Sequence, residues 1–178
     1  MKLCGIDEAG RGCLAGPLAI AGVVWINKIE GVDDSKKLSE KRRVELSEII
    51  KQNALWHIEI FDAAAIDELG LSVCLAAGLR AIKSAIAADR YLYDGNCTFG
   101  VEAIETLVKA DSLISEVSAA SILAKTAKDA RLYELGADYP QYGFERHKGY
   151  GTKDHLSAIA QFGLSSLHRK TFKIKRDL

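Results

Sequence analysis

The connection between the first two extended segments constrains this chain most. "KLCGIDE" at 2–8 and "LAIAGVVWI" at 18–26 both read as strands. Only about ten residues separate them, and "AGRGCLAGP" spends three glycines and a proline there. A parallel crossover needs about a dozen residues or more, usually a helix. The first two strands are therefore expected to form an antiparallel hairpin. Further on, "SEKRRVELSEIIKQN" has a serine cap and helical apolar spacing, giving a helix over 39–52. "LWHIEIF" alternates as a strand over 55–61, and 71–88 reads as a largely buried helix. "RYLYDGN" reads as a short strand ending in the turn signal Asp94-Gly95, with another strand expected near 111–115. Helices follow over about 117–135 and 152–162. Helices between the later strands suit parallel pairing. The expected fold is α/β, a mixed sheet flanked by helices with a helical C-terminal portion from about 136.

Bulk properties exclude several classes. A length of 178 residues suits one domain, 1–178, and no linker, repeat or low-complexity tract divides it. No apolar run approaches the ~18 residues of a membrane span. The N-terminus meets acids at Asp7 and Glu8, unlike a secretion signal, so a cytoplasmic location is expected. Cys4, Cys13, Cys74 and Cys97 form no C-x-x-C pair and read as thiols in a reducing compartment. Net charge is zero, but residues 145–178 hold eight lysines and arginines against three acids. That asymmetry reads either as a grip on an anionic partner or as a solvated tail.

The acids are more specific. Asp7-Glu8 closes the first strand, Asp94 closes a later one, and Asp111 opens the segment after it. Sites in open α/β sheets form at the carboxyl ends of strands. If the first strand neighbours the one ending at Asp94, Asp7 and Asp94 converge and Asp111 can join them. Clustered carboxylates raise each other's pKa, and a divalent cation relieves the repulsion. All-oxygen ligands suit Mg²⁺ or Mn²⁺, and two such ions about 4 Å apart clamp a phosphodiester under displacement. Successive strand residues face opposite ways, so Asp7 and Glu8 reach one metal by side chain only if the strand bends. Glu8 then offers its backbone carbonyl or faces a second ion. Asp129 reads more readily as a salt-bridging helix residue, and Asp33 and Asp34 as turn residues.

Seven segments in order resemble the bacterial ribonuclease HII family: "GIDEAGRGCLAGP" (5–17), "DDSKKLS" (33–39), "YDGN" (93–96), "KADS" (109–112), "SAASILAKTAKD" (118–129), "HKGYGTKDH" (147–155) and "HRKTF" (168–172). The resemblance implies a ribonuclease H-like five-stranded mixed sheet with its second strand antiparallel. It also implies an endonuclease that cuts the RNA strand of RNA–DNA hybrids and incises 5′ to single ribonucleotides in duplex DNA. The implied products are 5′-phosphate and 3′-hydroxyl ends, and the implied cofactors are two Mg²⁺ or Mn²⁺ ions. The family's metal-binding acids fall on Asp7, Glu8, Asp94 and Asp111, its Gly-Arg-Gly element on Gly10, Arg11 and Gly12, and its junction-sensing tyrosine on Tyr150. Ala110 stands where the family pattern has a glycine, and Lys128 where it commonly has an arginine.

The chemistry of these residues agrees. RNA differs from DNA by a 2′-OH that donates and accepts hydrogen bonds. Glycines let backbone groups approach a sugar, and the arginine fork suits a phosphate. Tyr150, bracketed by Gly149 and Gly151, suits stacking on a sugar or base. Lys36, Lys37, His147, Lys148, His155, His168 and Arg169 are candidate contacts to the duplex backbone. A phosphotransfer receiver domain also gathers acids at strand ends, but needs a helix where this chain has about ten residues. A P-loop hydrolase lacks its G-x-x-x-x-G-K-[ST] motif here. A non-catalytic hybrid-binding module has no need of the acids. With no extra N-terminal substrate-binding domain, the reading goes against ribonuclease HIII. A monomer with no protein partner and no membrane contact is expected.

Overall fold

The computed structural model describes residues 1–32 and 38–174. Its sheet is built from β1 (Leu3–Ala9), β2 (Leu18–Trp25), β3 (Ala54–Phe61), β4 (Arg90–Asp94) and β5 (Glu105–Leu107). The order is β3-β2-β1-β4-β5. β1 pairs antiparallel with β2 and parallel with β4, and β5 extends the sheet parallel to β4. The short connection thus makes the expected hairpin, and the sheet is mixed and five-stranded.

The period-two alternation of β1 decides what lies on each face. Cys4 and Ile6 join Leu18, Ile20 and Tyr93 in a core under α3 (Leu71–Ala85), against Leu75, Leu79 and Ile82. The other face of β2, Ala21 and Val23, packs on α1 (Glu40–Asn53) and α4 (Ser115–Gly136). Small residues let α4 lie close: a side chain on Gly5 of β1 would strike the α4 backbone at Glu116 and Val117. Asp7 shares the Gly5 face, so the same alternation aims it along α4.

A third cluster, Ala15, Leu132, Tyr142, Phe144, Ala158 and Leu167, joins α5 (Phe144–His147) and α6 (Lys153–Phe162) to the end of α4. Tyr142 stacks on Phe144 at 5.5 Å between ring centroids. The caps are as the sequence indicates: Ser39 accepts from the Arg42 N–H at 3.2 Å, and Thr152 from the His155 N–H at 3.3 Å.

Two expectations need correction. Residues 111–115 are not a strand; Ala110–Ser112 form one turn of 3-10 helix, and α4 begins at Ser115. The fifth strand lies earlier, at Glu105–Leu107, where all three residues are exposed and leave no alternation to read. A separate short helix, α2 (Ala63–Leu69), also precedes α3 and turns into it at Gly70.

Candidate active site

β1 and β4 run parallel with Ile6 opposite Tyr93, so Asp7 and Asp94 follow at the carboxyl ends of neighbouring strands. Ile6 and Tyr93 face the α3 core, and Asp7 and Asp94 therefore face the other way. The Ala110 N–H donates to Asp94 Oδ1 at 3.1 Å and ties the end of β4 to the turn that carries Asp111. That turn is entered through Lys109 in left-handed conformation, φ 61°. Ala110 itself is buried beside Leu92 and Val117, so its methyl packs where the family pattern has glycine. The Ser118 hydroxyl donates to the Asp111 carbonyl and fixes the turn on α4.

One carboxylate oxygen from each of Asp7, Asp94 and Asp111 lies within 4.8 Å of the others. Burial, with the charges of Glu8 and Asp94, pushes the Asp7 carboxyl well above the usual carboxylate range. A Ser121 hydrogen bond and the Glu8 N–H, 2.8 Å from Asp7 Oδ1, oppose that shift. Three crowded oxygen donors of this kind fit a hard divalent cation. Glu8 is separate: its Oε2 accepts from the Tyr93 hydroxyl at 2.6 Å, and Arg11 Nη1 stands 3.5 Å from its Oε1. Burial raises its pKa too.

Next to these acids lies a cleft of about 380 Å³. Gly10, Arg11 and Gly12 form one wall, Tyr150 the other, and Ser121 and Lys125 of α4 the floor. Gly10 holds φ +90°, and no atom lies within 4 Å of where a Gly12 side chain would stand, so the loop exposes bare backbone. Tyr150 is 40% exposed, with Lys128 Nζ 4.8 Å from its ring centroid. Burial, then the neighbouring Cys13 thiol, pushes its phenol up to about 12.

Other sequence candidates lie elsewhere. His147, His155, His168 and Arg169 are buried and cannot line a duplex-facing surface in this arrangement. Lys148 pairs with Glu40, and Lys36 and Lys37 lie outside the described residues. Asp129 is buried in an ion-pair cluster, with Lys128 Nζ at 2.8 Å and Arg43 and Lys148 each at 3.7 Å. It is not among the three grouped acids. Sequence reasoning missed Ser121 and Lys125. Their signal is a serine and a lysine four apart, one helical turn, in an otherwise small and apolar stretch. Burial depresses the Lys125 pKa.

A family model described as Ribonuclease HII matches residues 4–175. Ribonuclease HII of Sulfurovum sp. (strain NBC37-1) is 53% identical over 97% of this chain and 92% of its own length. That of Campylobacter concisus (strain 13826) is 52% identical over 99% and 96%. Among solved structures, the PCNA:RNase HII complex from Archaeoglobus fulgidus aligns with TM-score 0.85 and 26% identity, covering 100% of this chain and 98% of its counterpart. Ribonuclease H2 from Pyrococcus horikoshii OT3 aligns with TM-score 0.79 and 26% identity over 97% and 94%. Bst-RNase HIII in complex with Mn²⁺, at 17% identity and TM-score 0.69, shares the fold. The family model, the sequence relatives and the fold match agree, and the chain belongs to the ribonuclease HII family.

Proposed function

We propose that this ribonuclease H, a single catalytic domain, hydrolyses the RNA strand of RNA–DNA hybrids and incises 5′ to single ribonucleotides in duplex DNA. The observation that carries the reading is the adjacency of two features. Asp7, Asp94 and Asp111 crowd within 4.8 Å of one another, and the neighbouring cleft joins the bare Gly10–Gly12 backbone to Tyr150. A ribose is thereby read beside the groups that cut next to it.

Asp7, Asp94 and Asp111 hold divalent cation, with Glu8 serving a second ion or steering Arg11. Two Mg²⁺ or Mn²⁺ ions there supply activation of water and stabilisation of the departing 3′-oxygen. Gly10 and Gly12 offer backbone groups to the 2′-OH, and the Arg11 fork holds a phosphate. Tyr150 stacks at the junction of ribose and deoxyribose. Lys125 and Ser121 on the cleft floor suit phosphate oxygens. The products are 5′-phosphate and 3′-hydroxyl ends.

The protein works in the cytoplasm on nucleic acid, as a monomer. Among the described residues no helix is long and apolar enough to cross a membrane. The Archaeoglobus fulgidus relative is seen with PCNA, so a protein partner remains to be tested by co-purification.

The test is an end-labelled DNA duplex carrying one ribonucleotide, beside an all-DNA duplex, with Mg²⁺, Mn²⁺ or EDTA. Metal-dependent incision 5′ to the ribonucleotide, lost in Asp94→Asn, is expected. Binding without incision overturns catalysis, and cutting of the all-DNA duplex overturns the ribose reader.

A further inference from the structure

The "HRKTF" segment begins with two buried residues, His168 and Arg169, linked to both walls of the cleft, one directly and one through His155. Arg169 is 1% exposed. Its Nη1 donates to the Arg11 carbonyl and its Nε to the Gly16 carbonyl, each at 3.1 Å. Its backbone N–H donates to Leu14 at 2.8 Å, and Gly16 donates back to Leu167 at 2.8 Å. The Gly-Arg-Gly loop is therefore clamped from below by one guanidinium.

His168, the residue before, reaches the other wall. The Tyr150 carbonyl only accepts, so the 2.8 Å contact from His155 Nδ1 makes that nitrogen an N–H, and the neutral ring is the form that leaves Nε2 to accept. His155 Nε2 is then an acceptor, and at 3.0 Å its donor is His168 Nε2–H. His168 Nδ1 must then accept, and the Ser165 N–H points at it from 2.9 Å. Every link has a matching donor and acceptor when both rings are neutral. An added proton on His168 Nδ1 would set N–H against the Ser165 N–H and leave only the Ser165 hydroxyl, 2.8 Å away, to accept it. His147 stacks on His155 at 4.1 Å and donates from Nε2 to the Tyr142 carbonyl at 2.8 Å.

We infer that His168 and Arg169, with His155, are positioning residues that set the separation between the Gly10–Gly12 backbone and Tyr150, and thereby the selectivity for a ribose followed by deoxyribose. The two walls also meet directly, where the Gly149 carbonyl accepts from the Leu14 N–H at 2.8 Å. The Ala15 N–H adds a 3.3 Å bond to the same carbonyl, and the Cys13 thiol reaches the Lys148 carbonyl at 3.5 Å and the Tyr150 hydroxyl, so the loops are joined at Cys13–Ala15 but not at their outer ends, Arg11 and the Tyr150 backbone. Arg169 and the histidine chain pin those ends. The inference rests on the proposed function, because it names what tunes the same cleft.

The test compares wild type, His155→Leu, His155→Asn and Arg169→Lys. Each is measured for kcat/KM on a duplex with one ribonucleotide and on a long hybrid, with Mn²⁺ affinity and thermal midpoint alongside. Asn keeps an N–H for the Tyr150 carbonyl, and Leu does not. Lys keeps the charge of Arg169 but loses the fork that spans two carbonyls. Displacing a recognition group by about 1 Å costs up to ~100-fold, so His155→Leu and Arg169→Lys should lower the single-ribonucleotide to hybrid ratio about 10-fold. His155→Asn keeps the bond to the Tyr150 carbonyl but loses the acceptor for His168, so its ratio should fall between those of His155→Leu and wild type, and Mn²⁺ affinity should not change. Ratios equal to wild type in folded Arg169→Lys and His155→Leu overturn the inference, as does an equal loss in His155→Asn and His155→Leu. Should His155→Leu fail to fold, Arg169→Lys decides alone. A wild type that cuts neither substrate overturns the proposed function itself.

Discussion

Two clusters of ionisable groups are buried about α4, and they are built on opposite plans. At the strand ends Asp7, Asp94 and Asp111 bring like charges within 4.8 Å. Along the helix Asp129 lies among opposite charges, Lys128, Arg43 and Lys148. Burial is similar in the two, with Asp7, Asp111, Lys128 and Asp129 all largely hidden. The difference is the arrangement: three carboxylate oxygens crowd one another at the strand ends, whereas Asp129 stands as the one acid among three cations. Crowded carboxylates gain by binding a cation, whereas an acid set among cations holds those cations in the fold. Depth of burial by itself therefore does not mark a site; the sign of the neighbours does.

The largest effect that should separate them is on rate. Asp94→Asn should reduce incision at least ~1000-fold, about 4 kcal/mol in the barrier, with folding retained. A gel assay with a thermal melt checks both, and a melt that drops sharply would place Asp94 with the structural acids. Asp129→Asn should do the reverse. It leaves Lys128, fully buried, without its carboxylate, and should cost roughly 3–5 kcal/mol in urea unfolding while the folded fraction still cuts.

The histidine chain is a third plan, buried groups kept neutral. Burial, then the neighbouring His155, depresses His168 from 6.5 to about 4. The unfolded ring takes a proton first as pH falls, so the contribution is complete above about 6.5 and is lost as pH falls through about 4. Chemical denaturation between pH 7 and 4 should show a decline on the order of 2 kcal/mol that is smaller in His168→Gln. The smallest effect belongs to Tyr150, whose ring lies over Lys128 of the matched cluster. Tyr150→Ala should slow single-ribonucleotide cleavage about 10-fold, the scale of one lost stacking contact, and leave Mg²⁺ titration unchanged. Equal loss of both would merge the recognition wall with the metal site.

Features with a local cause were legible in the sequence. The hairpin followed from a connection too short for a crossover. The acids followed from charge placed at the ends of apolar strands. The β5 strand did not, because Glu105, Thr106 and Leu107 are all exposed and carry no alternation. The turn at Asp111 was misread because "DSLISE" alternates well enough for a strand while Lys109 takes a positive φ. His147, His155, His168 and Arg169 were misread for a different reason. A basic or polar residue is expected outside, and Arg169 is held inside by carbonyls remote in the chain, Arg11 and Gly16, while the histidines are held by nearby carbonyls and by one another. The basic surplus of the tail shrinks accordingly, with Arg169 internal and Lys148 spent on Glu40.

The clamp on the Gly-Arg-Gly loop joins Arg169 to Arg11, partners separated by 158 positions. Synthesis makes the loop early and its anchor late. While a nascent chain still lacks residues 165–169, it can pair β1 with β4 and gather the acids, but the loop beside them is held only through Cys13–Ala15 to residues 148–149 and lacks its anchor at Arg11. Metal affinity and substrate discrimination should therefore arise at different lengths of the emerging polypeptide. Cation binding comes first, and the ability to tell a ribose from its deoxy counterpart waits for the final stretch to dock.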